Sequence, residues 1–161
     1  MKKTVALLIV CVLLTVTLAS CGTRSRSMER YDAFAAHDDF MPTSDELDGS
    51  DKSAMYYHTE ALIFESDAYT VSSRFSDDEY ESAKRSVEES VPFESKTLGG
   101  VVKGVDVRLV SLDLYNCMYP QKMYFVGFDD ANKRIVYTAF FDIDLDYIEK
   151  FDEFMVEYCG W

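Results

Sequence analysis

From about Met55 onward, apolar residues fall into runs of strand length or recur at helical spacing. Tyr56 to Phe64 is aromatic and β-rich, and Glu65-Ser66-Asp67 can turn it into a second strand, Ala68 to Phe75. Ser76-Asp77-Asp78-Glu79 then matches a capping box, in which the serine and the glutamate satisfy each other's backbone amides. Tyr80, Ala83, Val87 and Val91 follow at helical spacing, and Pro92 ends the run. Leu98-Gly99-Gly100 reads as a turn and Val105 to Cys117 as a long aliphatic strand. Lys122 to Phe128 and Arg134 to Phe141, separated by Asp129-Asp130-Ala131-Asn132-Lys133, predict a β-hairpin. Asp144 can cap a last helix carrying Leu145, Ile148, Phe151, Met155 and Tyr158 on one face, with Gly160 where a helix often ends in a left-handed residue. The order ββαβββα predicts a two-layer α+β domain over residues 54–161. Its antiparallel sheet would have four to five strands, with both helices on one face.

The pattern upstream is different. Residues 22–53 carry few apolar side chains and many charges, which predicts an acidic, flexible tether with too little apolar surface to offset its ordering entropy. Within it, Met28, Tyr31 and Phe34 recur at threes and predict a short helix that docks on the domain or on a membrane. Before the tether, Lys2 and Lys3 make a basic start, and the sixteen residues from Thr4 to Ala19 carry no charge. That run is shorter than the ~20 residues a helix needs to cross a bilayer core, and it ends in small residues, as export signals do.

The ending Leu18-Ala19-Ser20-Cys21 resembles the lipobox of bacterial lipoproteins. The resemblance covers only the leader and Cys21. It implies cleavage of residues 1–20, a diacylglyceryl group on the Cys21 sulfur, and a palmitate-bearing protein held on the outer face of the bacterial cell membrane. In a two-membrane host, Gly22 would permit transfer to the outer membrane. Two acyl chains hold stably where one holds weakly, because each buried methylene contributes roughly 0.8 kcal/mol.

Charge narrows the choice of partners. The chain carries a net −13, and loss of Lys2 and Lys3 takes it to −15. Such a surface repels phosphate backbones, so nucleic acid is excluded as a partner. The mature chain keeps Cys117 and Cys159 beside Cys21, and in an oxidising compartment that lone pair is a disulfide candidate.

Candidate chemistry is sparse. Asp142, Asp144, Asp146 and Glu153 are spaced like the ligands of an EF-hand calcium loop, but Tyr147 replaces the turn glycine and the same residues are needed for the last helix. The acidic residues there also suit a first helical turn. His37 and His58 are the only histidines, and no zinc-like cysteine and histidine spacing, phosphate loop or nucleophile motif occurs. No catalytic residue and no cofactor is therefore expected. The 11 tyrosines and 11 phenylalanines offer a better lead, with Tyr57, Tyr115, Tyr124 and Tyr137 as candidates for a rigid contact surface on the sheet. The resulting expectation is a membrane-anchored, monomeric, non-catalytic binding module for an envelope protein, peptide or glycan. The alternative is a small cell-surface hydrolase using carboxylates.

Overall fold

The computed structural model describes residues 22–61, 64–94, 99–113, 121–142, 153, 155–156 and 159–161. Seven strands form one sheet: β1 (Thr23–Ser25), β2 (Ser50–Ala61), β3 (Phe64–Arg74), β4 (Gly99–Val102), β5 (Val105–Asp113), β6 (Gln121–Asp129) and β7 (Arg134–Asp142). Their order is β1-β2-β3-β7-β6-β5-β4, and every neighbouring pair is antiparallel. Helix α1 (Met28–Ala35) lies between β1 and β2, and α2 (Asp77–Ser90) lies between β3 and β4. No helix among the described residues is long and apolar enough to cross a membrane.

The α+β class is as expected, but the sheet has seven strands rather than four to five. One addition is β4. Gly99 and Gly100, expected in a turn, are strand residues, and the turn is instead Lys103-Gly104, both at positive φ (48° and 89°). That geometry fits a two-residue hairpin, whose twist matches the flanking strands. The other addition, β1, pairs Thr23, Arg24 and Ser25 with His58, Tyr57 and Tyr56. The expected turn at Glu65-Ser66-Asp67 lies inside β3, paired with the end of β2.

Residues 22–53, expected to be a tether, fold onto the sheet. Tyr31, Ala35, Met41 and Leu47 are buried against Val71, Val126, Ile135 and Ala139. The predicted Met28 helix is present. Ser27 caps it by accepting from the Arg30 amide at 3.2 Å, and Phe34 stacks on Tyr69 with ring centroids 3.7 Å apart. The acidic run Asp45, Glu46, Asp48 and Asp51 is exposed, but two earlier carboxylates, Asp32 and Asp38, are acceptors that tie the segment down. Asp32 takes Ser44 N at 2.7 Å and Ser44 Oγ at 2.6 Å. Asp38, 2 % exposed at its side chain, takes Lys122 Nζ at 2.9 Å, Tyr124 Oη at 2.6 Å, and the Phe40 and Met41 amides at 2.9 Å.

Burial alone would raise the Asp38 carboxyl, but the bonds from Tyr124, Met41, Lys122 and Phe40 outweigh it and hold the group below its ordinary value. A folded pKa below the unfolded one means the stabilisation is complete above the unfolded value and is lost as pH falls through the folded value. Acidification from about pH 5 toward 2 should therefore weaken the wild type. Asp38→Asn should be destabilised at neutral pH by about 1–3 kcal/mol and show a flatter acid limb. Urea midpoints at neutral and acid pH check this, and parallel curves for the two proteins would remove Asp38 as the cause.

Helices α1 and α2 share one face, but the C-terminal residues expected beside α2 pack on the other. Tyr31 of α1 and Tyr80, Ala83 and Val87 of α2 pack on the face bearing Val71, Tyr124, Val126, Phe128 and Ile135. Met155, Cys159 and Trp161 pack on the opposite face, with Ala68, Leu109, Met123, Phe125 and Phe140. Both faces are therefore covered, so consecutive β6 residues from Met123 to Phe128 are all buried. A strand dry on both sides reads as a continuous apolar run rather than an alternation. Cys159 is a free thiol in the structure, fully buried among apolar side chains that push its pKa up. Cys117 lies outside the described residues.

Two local signals hold. Glu79 reaches back to Ser76 at the start of α2, accepting from its amide at 3.2 Å and from its hydroxyl at 2.6 Å. Gly160 has φ +74°, and Trp161 N donates to Met155 O at 3.1 Å, a left-handed helix ending.

Candidate functional site

A cavity of about 410 Å³ opens on the sheet face covered by the C-terminal residues. Its floor comes from one end of β2, β3 and β7, where Ser53, Thr70 and Ser72 bring hydroxyls to the lining. Ser53 and Ser72 are register partners with their Oγ atoms 2.9 Å apart. Thr70 and Thr138 are partners with Oγ1 atoms 3.1 Å apart, and Thr138 also accepts from Trp161 Nε1 at 3.1 Å. That bond fixes the indole as a wall of the cavity. Met55, Val136 and Val105 supply apolar lining, and Arg26 and Arg134 supply positive charge.

Gly127 makes the wall possible. A Cβ at this position would overlap the edge of the Trp161 six-membered ring, so the indole edge abuts bare backbone in mid-strand.

Arg134, first residue of β7, is 27 % exposed at its side chain and poorly satisfied. Its Nη2 reaches Asp51 O and Ser53 Oγ only at 3.4 Å, and its buried Nε has no acceptor. Asp129, its register partner across the sheet, directs its carboxylate to the Asn132 amide at 3.0 Å and to Asn132 Nδ2 at 2.7 Å.

A second polar cluster lies at the far end of the β2–β3 hairpin. Asp67 Oδ1 accepts from Tyr56 Oη at 2.9 Å and stands 3.0 Å from His58 Nδ1, with Glu65 Oε1 3.9 Å from the same nitrogen. His58, Glu65 and Asp67 form one three-donor grouping of metal-ligating types among the described residues. The Arg30 guanidinium lies 3.8 Å from the Tyr56 ring centroid. Among the described residues no serine, threonine or cysteine hydrogen-bonds to His58.

The tyrosines expected to share a contact surface do not. Tyr57 packs on the face of Trp161, with Arg24 5.2 Å above its ring. Tyr124 is 8 % exposed on the opposite face, donating to Asp38, and Tyr137 is half-buried there. Burial, with Asp48 nearby, pushes the Tyr137 hydroxyl up to about 12. Tyr115, and Asp144 and Asp146 of the calcium candidate, lie outside the described residues, as does Cys21. Asp142 ends β7 and Glu153 is exposed in a helical turn.

Sequence reasoning passed over Ser53, Ser72, Arg26 and Arg134. The usable signal was the spacing Thr70-x-Ser72, which puts two hydroxyls on one side of the strand. No protein family, curated protein sequence or solved structure matches the chain.

Proposed function

We propose that this chain is a lipid-anchored extracytoplasmic protein whose domain binds a small polar ligand in the cavity beside Trp161. The cavity carries the binding part of this reading. Its volume falls within the few hundred Å³ typical of small-ligand sites. It also combines apolar and aromatic lining with convergent hydroxyl and guanidinium donors. The anchoring part rests on Leu18-Ala19-Ser20-Cys21.

The fold changes what the anchor would do. Only Gly22 separates Cys21 from β1, so the chain contributes at most about 7 Å of reach between lipid and sheet edge. The domain would work at the membrane surface, on a ligand delivered or released there, rather than on a leash. A carboxylate hydrolase has less support. Glycosidic cleavage needs two facing carboxyl groups, and the one carboxylate side chain lining the cavity among the described residues, Asp129, is engaged by Asn132.

One preparation tests both parts. Full-length protein extracted from membranes in mild detergent should carry palmitate label and retain a small non-lipid mass by native mass spectrometry. Cys21→Ser should lose the label, and Ser53→Phe, which fills the cavity from an exposed position, should lose the small mass while keeping its fold. Label that persists on Cys21→Ser removes the anchor. A small mass indifferent to Ser53→Phe removes the cavity.

A further inference from the structure

Resting on the cavity as the ligand seat, the geometry points to the class of ligand: we infer that it is a small molecule bearing an oxyanion, carboxylate or phosphate, gripped by Arg134. The observation is a guanidinium largely withdrawn from water without the acceptors that normally repay such burial. An unmet charged donor is costly, and native proteins keep few of them. Nε has no acceptor, and Nη2 holds two at the limit of hydrogen-bonding distance.

The neighbouring carboxylates do not explain the arrangement. Asp51 Oδ2 is 3.8 Å away on a side chain 61 % exposed, and it is shared with Arg74 at 3.7 Å. An exposed, divided ion pair of that kind contributes little. Asp129 sits opposite Arg134 in the register yet is turned to Asn132. Nε–H and Nη2–H form the side fork of arginine, which matches two oxygens of a carboxylate or phosphate. A guanidinium held by two 3.4 Å bonds loses little by turning onto a better acceptor.

The surroundings complete the site. Within the Ser53–Ser72 pair one hydroxyl donates to the other, which leaves one proton for a ligand oxygen. Arg26 adds a second positive group on the lining of a protein whose net charge is −13. The indole of Trp161, with Met55 and Val136, offers an apolar surface to the rest of the molecule. Recognition of this kind separates an acid from its neutral counterpart, because the neutral molecule leaves the guanidinium as unmet as before.

Trp161 is the only tryptophan, so its fluorescence reports from the cavity itself. Full-length protein would be titrated with inorganic phosphate, glucuronate and glucose at constant ionic strength, following Trp161 emission and the Arg134 Nε–Hε NMR resonance. Phosphate or glucuronate should give a saturable change in both signals. Arg134→Met should weaken that response at least tenfold, and Arg134→Lys should recover only part of it. Glucose binding as well as glucuronate, with no loss in Arg134→Met, would overturn the oxyanion inference and leave the cavity standing. No response to any of the three in the wild type would overturn both. Should Arg134→Met fail to fold, the wild-type contrast between glucuronate and glucose decides the matter.

Discussion

Tyr31→Ala is expected to cost about 3–5 kcal/mol, the range for removing a large buried aromatic ring. Tyr31 is 0 % exposed, wedged between α1 and the sheet, and its hydroxyl donates to Pro42 O at 2.6 Å. Truncation would leave a hole beneath α1 and an orphaned carbonyl in the segment that follows it. The loss is comparable to the whole margin of a small domain, so α1 and residues 36–48 should detach together and uncover Val71, Ile135 and Ala139. Tyr31→Phe separates the two contributions, keeping the ring and losing only the hydrogen bond, for about 1 kcal/mol. Urea unfolding of the full chain measures both. If Tyr31→Ala moved the midpoint no more than a surface change does, residues 22–53 would be a loosely laid tether after all.

Gly127→Ala should be the most damaging change per added atom. In mid-strand this substitution ordinarily helps, because glycine costs conformational freedom. Here the new methyl falls where the Trp161 ring lies, so either the strand or the indole must move. Overpacking of this kind costs about 1–3 kcal/mol. Displacement of the indole would also break its bond to Thr138 and uncover the floor of the cavity. Three readouts should change together: a lower melting temperature, red-shifted Trp161 emission, and loss of whatever the cavity retains. A variant as stable as the wild type, with unshifted emission, would mean that Trp161 does not wall the cavity in solution.

Contrasts within the fold explain why some of it was legible. The β6–β7 hairpin and α2 follow from neighbours in sequence: two apolar runs around a polar turn, and a Ser76–Glu79 cap ahead of a 3.6-residue repeat. The strands that were missed are short. β1 has three residues and β4 four, too few to display an alternation, and both lie at the edges of the sheet. The C-terminal residues were given to the wrong face because an amphipathic helix shows that it has an apolar side, not which surface will meet it. The unbroken apolar run Met123-Tyr124-Phe125-Val126 was the available sign that both faces of the sheet are dry. Asp32 and Asp38 misled for a related reason. A carboxylate in a sequence cannot be told from one that will later accept several hydrogen bonds in the interior.

Residues a few positions apart were enough to read the leader pattern ending in Cys21, the acidic balance, the capped helix, the hairpin and the α+β class. Each depends on side-chain chemistry and short spacing, where the chain's own geometry sets the contacts. The covering of both faces, the docking of residues 22–53 and the cavity emerged only from the folded domain. That cavity joins Ser53, Ser72, Arg134 and Trp161, which lie up to 108 positions apart from 53 to 161. Such residues meet only through the register of β2, β3 and β7 and the placing of an indole on Gly127, choices settled by packing across the whole domain.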